Sequence, residues 1–361
     1  MAEIKEGAVL DALRKVMDPD LKRDIVSLGF IKDMVIEGGR VAFKVELTTP
    51  ACPVKELLKK QSHDVVAAIA GVTEVEVEMT AQVRASGRKM ETELVPDVKN
   101  IIAVASGKGG VGKSTTAVNL ALALSQTGAS VGILDADIYG PSLPKMLNIQ
   151  GGPIEGEEGQ RLPPVEAYGL KAISMGFFMP EDTPMVWRGP MVGMAVEQLL
   201  RDIEWGELDY LIVDLPPGTG DAQLTLTQKV PLTGVVIVST PQDVALADVK
   251  KGINMFRKVD VPVIGVIENM SYYICPKCDH RAEIFSHGGA KREAAVAGID
   301  FLGDIPLDGA IREDADAGTP ILVAHPESPQ SEKYRQIASQ IAAKVATMGF
   351  EASKFPKIVV E

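Results

Sequence analysis

The segment GKGGVGKST at residues 107–115 decides the fold of this 361-residue chain. It follows a short apolar run, IIAVAS at residues 101–106, and it precedes a helix-like pattern that Gly128 is placed to end. A strand, a glycine-rich loop and a helix in this order are the context in which a G-x-x-x-x-G-K-[ST] match predicts a phosphate-binding loop, or P-loop. Glycines let backbone N–H groups converge on phosphate oxygens, and the helix N-terminus adds partial positive charge. The segment therefore predicts a site for ATP.

Two side chains of this loop have specific roles in phosphate chemistry. Lys113 is expected to reach the β- and γ-phosphates, and the Ser114 hydroxyl is expected to ligate Mg²⁺. We expect the other loop positions to surround the nucleotide, chiefly through their backbone. The candidate nucleotide contacts in the loop are Gly107, Lys108, Gly109, Gly110, Val111, Gly112, Lys113, Ser114 and Thr115.

Short apolar runs recur along the chain after the loop. They stand at residues 131–134 (VGIL), 210–213 (YLIV), 235–239 (VVIVS) and 263–267 (VIGVI), and helix-like segments separate them. Strands that are apolar on both faces and alternate with helices are typical of a parallel sheet covered by helices on both sides. The predicted fold class is therefore α/β, a P-loop NTPase sheet preceded by a small α+β domain.

Acidic residues close two of these apolar runs. Asp214 ends the run at residues 210–213 and matches a Walker B aspartate, which holds magnesium; Gly218 after it can sense the γ-phosphate through its backbone N–H. Asp135 and Asp137 follow the run at residues 131–134 and are expected at the same edge of the sheet. One of this pair could position the attacking water, and Asp137 is the preferred candidate; the alternative for each aspartate is a cap at a strand end.

The chain divides into two predicted domains. Residues 1–80 have the pattern of a small α+β domain. Residues 81–99 are polar and lack periodicity, which predicts a linker. Residues 100–361 form the predicted ATPase domain.

Within the small domain, apolar and polar residues alternate over residues 40–48, which predicts a half-buried strand after a hairpin turn at Gly38-Gly39. Pro53 is expected at the first position of the following helix. Cys52 would then be the helix N-cap, where a thiol has a lowered pKa, so Cys52 is a candidate transient ligand. The alternative for Cys52 is a small buried residue at a helix entry.

Composition and charge restrict the function classes. Hydrophobic residues make up 46% of the chain and charged residues 24%, which suits a globular protein with a large core. No run approaches the roughly 18 apolar residues of a membrane span, and the N-terminus lacks the apolar core of a signal peptide. A net charge of −12 works against nonspecific nucleic-acid binding. We therefore expect a cytoplasmic protein without membrane or nucleic-acid partners.

The cysteines suggest a metal centre. The chain has three cysteines, too few for a disulfide framework. Cys275 and Cys278, in CPKC, can present two thiolates to one centre, whereas a closed zinc site or a four-iron cluster needs four ligands. His280 and His287 could complete a zinc site within one chain, or two protomers could share a cluster. A redox dithiol and an inert pair are further alternatives, and spacing alone leaves all of them open.

Lys108 is a second lysine inside the loop, and ordinary Walker A loops have no fixed need for it. With this lysine the chain resembles the deviant Walker ATPases, which include the MinD/ParA division and partition proteins and nitrogenase iron protein. The resemblance implies that Lys108 reaches across a dimer to the partner's nucleotide and stabilises charge there during hydrolysis. It also implies that Asn269, in VIENMS, contacts the adenine; the alternative for Asn269 is a turn residue.

Further segments resemble the Mrp/ApbC iron–sulfur cluster carriers over nearly all of residues 98–345. The matching landmarks include SGKGGVGKST, LDADIYGPS, VDLPPGTGD, STPQDVALADV and IENMSYYICPKC. The segments DPDLKRDIVSLGFIKD and TTPACP resemble the small domain often fused to these carriers. The resemblance implies a homodimer that binds a [4Fe–4S] cluster through Cys275 and Cys278 of both protomers. It also implies that the cluster passes to apoproteins, that cluster-assembly scaffolds are partners, and that ATP hydrolysis tunes the transfer.

Two other functions compete with an ATP-dependent cluster carrier. A MinD/ParA-type positioning ATPase would attach reversibly to membrane or nucleoid. Membrane attachment requires an amphipathic basic helix, for which the proline-interrupted C-terminal residues 351–361 are unsuited. A zinc-stapled P-loop regulator would hold metal through the cysteine pair and never carry iron.

Overall fold

Apolar strands and the helices that cover them account for most of the chain. The computed structural model describes residues 4–85, 94–150, 161–178 and 189–353. Two compact units are distinguished, and they consist of residues 1–84 with 342–361, and of residues 85–341. Residues 86–93 of the predicted linker and the C-terminal residues 354–361 lie outside the described residues. Among the described helices, none combines the length and apolar character needed to cross a bilayer.

The smaller unit contains a three-stranded sheet. Its elements are α1 (Glu6–Leu13), β1 (Met17–Asp18), β2 (Arg23–Asp24), β3 (Ile31–Glu37), β4 (Arg40–Leu47), α2 (Lys55–Ala67) and β5 (Glu74–Ala81). β3 and β4 pair antiparallel around Gly38, which has a φ of 60°, and β5 pairs parallel with β4. The buried side chains of β4 alternate as predicted, and they are Val41, Phe43, Val45 and Leu47. This strand prediction is therefore confirmed.

The larger unit begins with β6 (Val98–Ala105) and alternates strands with helices. Its elements up to β10 are α3 (Lys113–Ser125), β7 (Val131–Asp135), α4 (Leu143–Met146), β8 (Val165–Ala167), β9 (Leu170–Ser174), a 3₁₀ turn (Met175–Phe177), α5 (Gly189–Asp202) and β10 (Leu208–Asp214). The elements that follow are α6 (Asp221–Lys229), β11 (Gly234–Ser239), α7 (Asp243–Lys258), β12 (Val263–Glu268), β13 (Tyr273–Ile274), β14 (Arg281–Ala282), α8 (Gly289–Ala297) and β15 (Phe301–Asp304). The last helices are α9 (Gly309–Asp316), α10 (Ile321–Ala324) and α11 (Pro329–Ser353), and residues 342–353 of α11 belong to the smaller unit.

Within the described residues, the main sheet has eight strands in the order β15-β12-β11-β6-β10-β7-β9-β8. Every neighbouring pair is parallel except β8 with β9. All residues of β7 and β11 are buried, which requires cover on both faces of the sheet. The predicted α/β P-loop sheet is confirmed.

The edge strand β8 was not anticipated from the sequence. It joins β9 through a two-residue turn at Tyr168 and Gly169, whose φ angles are 51° and 79°. Two successive positive φ values are typical of the type I′ turns that close antiparallel hairpins. A three-residue strand with one exposed polar residue, Glu166, is too short for its apolar periodicity to be recognised in the sequence.

Parallel pairing brings the carboxyl ends of the central strands to one edge of the sheet. Asp214, at the end of β10, lies opposite Asp135 of β7 on one side and Val104 of β6 on the other. The P-loop leaves β6 at this edge, and β12 ends there at Glu268. Ligands of open α/β sheets bind at this edge, so the strand order places the predicted phosphate and acidic residues together.

Candidate functional site

The phosphate loop contains glycine where another residue would collide or be strained. Gly110 and Gly112 have φ angles of 79° and 81°, in the left-handed region that favours glycine. A Cβ on Gly107 would collide with Asp248, and a Cβ on Gly112 would collide with the amide of Asn269. Gly112 is also the N-cap of α3, so the helix N-terminus follows the loop directly. Backbone N–H groups and the helix dipole therefore converge as phosphate binding requires.

Lys113 is the residue around which the polar side chains gather. Its Nζ lies 2.6 Å from Oδ1 of Asp214 and 3.6 Å from Oδ2 of Asp137. The same ammonium donates to Oγ of Ser114 at 3.4 Å, and the lysine side chain is only 6% exposed. A buried ammonium needs anionic partners. Phosphate oxygens are anions too, and would compete with these carboxylates for Lys113.

Ser114 and Asp214 supply oxygen atoms of the kind that magnesium binds. Mg²⁺ takes a few protein oxygens, keeps several waters and contacts the phosphates directly. Both oxygens contact the Lys113 ammonium, at 3.4 Å and 2.6 Å, so they lie around a common point. The donor set therefore fits Mg²⁺, and the assignment of these two residues as its ligands stays a prediction.

Asp135 organises the loop that carries Asp137. Its Oδ1 accepts the N–H of Asp137 at 3.1 Å. Its Oδ2 accepts the N–H of Ser142 at 3.1 Å, the N–H of Leu143 at 3.2 Å and the hydroxyl of Ser174 at 3.1 Å. Both carboxylate oxygens are therefore occupied by protein donors, and Asp135 has little capacity left to bind a water.

Asp137 is the better placed of the two aspartates for positioning a water. Burial raises its pKa, and the Lys113 charge opposes that rise. The pKa of Asp135 is raised as well, because it is buried and faces the negative charge of Asp214. The Asp137 carboxylate accepts a backbone N–H from Gly140, whereas that of Asp135 accepts three backbone N–H groups and a hydroxyl. The preference for Asp137 therefore has a geometric reason, and its role in positioning a water stays a prediction.

Gly218 and Asn269 are both hydrogen-bonded to residues at or beside the phosphate loop. The Gly218 N–H donates to the carbonyl of Ser106 at 2.9 Å, so sensing a γ-phosphate requires this bond to open. The Asn269 amide donates to the carbonyl of Val111 at 2.8 Å, and the side chain is buried. The Asn269 side chain therefore uses its amide N–H to hold the phosphate loop. Its contact with adenine stays a prediction, and the side-chain carbonyl oxygen is the atom left to make it.

Lys108 is half-buried at the start of the loop. Its carbonyl accepts the hydroxyl of Ser106 at 3.0 Å. Its side chain shows no hydrogen bond or ion pair with any other residue that the structure describes. A cation without a partner among the described residues could act on a second copy, and that role of Lys108 stays a prediction.

The cysteine pair lies at the tip of a short hairpin. Tyr273 and Ile274 of β13 pair with β14, and the turn between the strands is residues 275–280. The Cys275 N–H donates to the carbonyl of His280 at 3.0 Å, and the carbonyl of Cys275 accepts the N–H of Asp279 at 2.9 Å. Cys278 is exposed and Cys275 is half-buried. The hairpin thus presents two thiols outward on a defined turn.

A zinc site completed within one chain is not favoured by the side chains around the hairpin. Nδ1 of His287 lies 2.6 Å from Oγ of Ser271, and its Nε2 lies 3.3 Å from the Arg281 guanidinium. Both ring nitrogens are therefore engaged away from the cysteines. Among the described residues, no group of three or more His, Cys, Asp or Glu side chains is placed to hold a metal ion. A metal ion or cluster held by these two thiols would need ligands beyond those that the described residues place beside them.

Cys52 does not occupy a helix N-cap, so that prediction is wrong. The helix α2 begins at Lys55 with Val54 as its N-cap, and Pro53 lies before the helix. Burial raises the pKa of Cys52 to about 11, and the charges of Asp18 and Asp20 add to the rise. One further residue, Val54, stands between Pro53 and the helix. The Cys52 thiol is therefore not at the helix N-terminus, and the helix dipole does not stabilise its thiolate.

The two thiol environments predict different reactivity with pH. The N–H of Lys277 and the thiol of Cys278 donate to Cys275 and hold the pKa of Cys275 below its ordinary value of 9.0. As pH rises, Cys275 becomes a thiolate first and Cys52 only near pH 11. Because the thiolate is the nucleophile, iodoacetamide at pH 8 should label Cys275 well before Cys52, measured by peptide mass spectrometry. Equal labelling rates would contradict these assignments.

Solved structures share the fold of about two thirds of the chain. A nucleotide-binding protein from Archaeoglobus fulgidus, solved in complex with ADP, is 38% identical with a TM-score of 0.58, and the match covers 66% of this chain and 93% of that one. The cell division ATPase MinD of Pyrococcus furiosus is 21% identical with a TM-score of 0.52, covering 67% of this chain and 98% of that one. The second likeness concerns the fold alone.

Sequence relatives cover both units. The iron–sulfur cluster carrier protein of Synechocystis is 48% identical over 343 residues, 94% of this chain and 97% of the relative. The protein of the same name from Escherichia coli is 44% identical, over 96% of this chain and 94% of the relative. The iron–sulfur cluster transfer protein NUBPL of Dictyostelium discoideum is 54% identical over 72% of this chain and 81% of the relative.

Family models match the same two parts of the chain. A model described as an iron–sulfur cluster assembly protein matches residues 6–78. A model described as the NUBPL iron-transfer P-loop NTPase matches residues 97–342. The phosphate loop, the strand-end aspartates and the cysteine hairpin all lie inside the second match. The chain therefore belongs to the family of NUBPL-type iron-transfer P-loop NTPases, the iron–sulfur cluster carriers.

Proposed function

We propose that this chain is an ATP-dependent carrier that binds a [4Fe–4S] cluster between two protomers and transfers it to apoproteins. The observation that carries the proposal is the hairpin of Cys275 and Cys278, which presents two thiols outward in the same unit as the phosphate loop. The cluster is cargo in this function, and ATP is the regulator of its transfer. The chain acts in the cytoplasm, with cluster-assembly scaffolds and recipient apoproteins as partners.

Two protomers are required by the ligand count. A four-iron cluster is held by four cysteine thiolates, and the described residues around the hairpin offer two. His287, one of the two candidate histidine ligands, is engaged with Ser271 and Arg281 instead. Ile274, next to the pair, is 48% exposed, which suits contact with an identical hairpin. A twofold axis through the two hairpins supplies the missing thiolates.

A cluster held in this way suits transfer. Cys278 is exposed, so a thiolate of a recipient protein can approach the cluster edge. Thiol ligand exchange follows thiolate character and access, and the low pKa of Cys275 favours its thiolate as a ligand. Separation of the protomers would remove half of the ligands at once. Association and release of the cluster are therefore linked to dimer formation.

ATP hydrolysis is proposed to use the side chains gathered at the sheet edge. Lys113 holds the β- and γ-phosphates, Ser114 and Asp214 hold Mg²⁺, and Asp137 orients the attacking water. Lys108 of one protomer stabilises the charge that develops on the phosphates of its partner, in the manner of an arginine finger. Magnesium, when bound, supplies the charge that neutralises the phosphates. Hydrolysis then depends on the same dimer that holds the cluster.

Anaerobic reconstitution tests the proposal. The full chain is incubated with iron, sulfide and a reductant, and iron content, sulfide content, visible absorbance and oligomer mass are measured on one sample. We expect a brown dimer with one four-iron cluster per two chains, and transfer of the cluster to an apo-ferredoxin. A colourless protein with stoichiometric zinc, or a cluster-loaded monomer, would reject the proposal. Cosedimentation with anionic liposomes or DNA would instead support a positioning ATPase.

A further inference from the structure

A fully buried carboxylate, Glu268 at the end of β12, holds both ends of the segment that carries the cysteines. Its Oε1 accepts the hydroxyl of Ser271 at 2.5 Å and the N–H of Gly288 at 2.8 Å. Its Oε2 accepts the N–H of Ala290 at 2.7 Å, in the first turn of α8. We call residues 271–288 the cysteine segment, because Cys275 and Cys278 lie at its tip. One side chain therefore joins the start of this segment to its end.

His287 extends this contact to the hairpin. Its Nδ1 lies 2.6 Å from Oγ of Ser271 and 3.5 Å from Oε1 of Glu268. Its Nε2 faces the Arg281 guanidinium, a donor, at 3.3 Å, which requires the ring proton on Nδ1. Arg281 also stacks on Tyr272, with its Cζ 4.1 Å from the ring centroid. Arg281 pairs in register with Ile274, the neighbour of Cys275, so the chain of contacts reaches the metal-binding turn.

The residue after Glu268 faces the nucleotide loop. The Asn269 amide donates to the carbonyl of Val111 at 2.8 Å and touches Gly112 so closely that no side chain fits there. The Asn269 N–H is fixed on the carbonyl of Ser239 at 2.7 Å. Two consecutive residues therefore contact two different parts of the site. Asn269 is hydrogen-bonded to the phosphate loop, and Glu268 is hydrogen-bonded to the cysteine segment.

The hydrogen bonds of Glu268 are either kept or lost, because water cannot take the place of a lost partner. Glu268 is 0% exposed, and a buried carboxylate that loses a donor has no water to replace it. The N-terminus of α8 also stabilises the carboxylate charge. If bound nucleotide displaces the loop and with it Asn269, Glu268 either moves together with its hydrogen-bond partners or loses them. Both responses displace the ends of the cysteine segment.

We infer that Glu268, Ser271 and His287 are positioning residues that transmit nucleotide binding at the phosphate loop to the cysteine hairpin. This inference rests on the proposed function, since it explains how ATP would tune the cluster site. A cap for α8 alone would account for the Ala290 bond, but it would not require Ser271 and His287. Coupling of this kind is demonstrated only by a change in the response of one site to the other.

The test measures thiol reactivity in the metal-free full chain. Iodoacetamide labelling rates of Cys275 and Cys278 are compared with and without the magnesium complex of a non-hydrolysable ATP analogue. In the unmodified protein, the analogue should change the rates by about threefold or more, a size that side-chain networks carry. In Ser271→Ala and His287→Ala, nucleotide affinity should persist while the labelling rates no longer respond to the analogue. His287→Asn, whose amide can donate to Ser271, should restore the response.

The matched control is Glu283→Gln, an exposed residue of the cysteine segment outside this set of contacts. It should retain the full response, and oligomer mass is measured for every variant. The inference is overturned if the unmodified protein shows no response, or if Ser271→Ala and His287→Ala respond as it does. If Ser271→Ala fails to fold, the comparison of His287→Ala with His287→Asn decides. Because no cluster is present, a failed reconstitution would reject the proposed function without affecting this measurement.

Discussion

Lys113→Ala is expected to lower ATP hydrolysis by at least about 100-fold, the scale of losing one charge-stabilising donor in a transition state. Lys113 is the ammonium around which Asp214, Asp137 and Ser114 gather. Without it, the β- and γ-phosphates lose their cation, and Asp214 loses a partner at 2.6 Å. Steady-state phosphate release on the purified chain measures the effect.

The buried carboxylates make a folding control necessary for this variant. Removing one member of a buried ion pair costs about 3–5 kcal/mol in typical cases. Lys113→Gln retains a donor toward Asp214 and lacks the positive charge, so it should fold with less loss while remaining inactive. Circular dichroism and thermal unfolding compare the two variants. Unchanged turnover in a folded variant would show that the phosphates are bound elsewhere.

Lys108→Ala provides the contrast within the same loop. Its side chain has no ion pair with the described residues of its own chain, so nucleotide affinity should change little. Turnover should fall by about 100-fold or more, since a charge supplied from a partner protomer acts on the transition state. Equal losses in nucleotide affinity and turnover would mean that Lys108 binds the nucleotide of its own protomer, which would contradict a role in the partner.

Cys275→Ala and Cys278→Ala are each expected to abolish stable cluster binding. In a shared site each substitution removes two of four thiolates, because both protomers carry it. The absorbance and iron content after anaerobic reconstitution should fall to the level of a protein without cysteines at this hairpin. Nucleotide binding by these variants should persist, since the thiols make no contact with Lys113 or the strand-end aspartates.

Cys52→Ala is the matched control for the cysteine variants. Cys52 lies in the other compact unit, and burial raises its pKa to about 11, which disfavours the thiolate that a metal requires. We expect Cys52→Ala to reconstitute with the same iron content as the unmodified protein. Loss of the cluster in this variant, or its retention in Cys275→Ala, would mean that the ligands have been misassigned.

Local patterns in the chain were enough to predict the main fold and the nucleotide loop. The P-loop segment specifies its own conformation, because glycines with positive φ and a helix that begins at Lys113 are properties of neighbouring residues. Apolar runs such as residues 131–134 become strands buried on both faces for the same local reason. The acidic ends of β7 and β10 were predicted to meet because carboxyl ends of parallel strands share one edge.

The sequence misplaced the start of one helix, and it did not reveal hydrogen bonds between residues far apart in the chain. Pro53 suggested a helix start, yet α2 begins two residues later at Lys55, so Cys52 lost its expected cap position. The role of the Gly218 N–H toward the γ-phosphate stays a prediction, and the sequence did not reveal that this N–H donates to Ser106, 112 positions earlier in the chain (218 − 106). Pairings across such separations are set by packing of the whole sheet.

The sequence by itself determined the family, the phosphate loop and the presence of a turn with two thiols, since short runs of neighbouring residues specify each of these features. Only the tertiary structure decided which side chains meet: that Asp135 serves its own loop, that His287 turns away from the cysteines, and that Glu268 joins both ends of their segment. An acidic residue ending the run VIGVIE was a visible signal for Glu268. Two of its partners were not visible, because Gly288 and Ala290 lie 20 and 22 residues further along the chain.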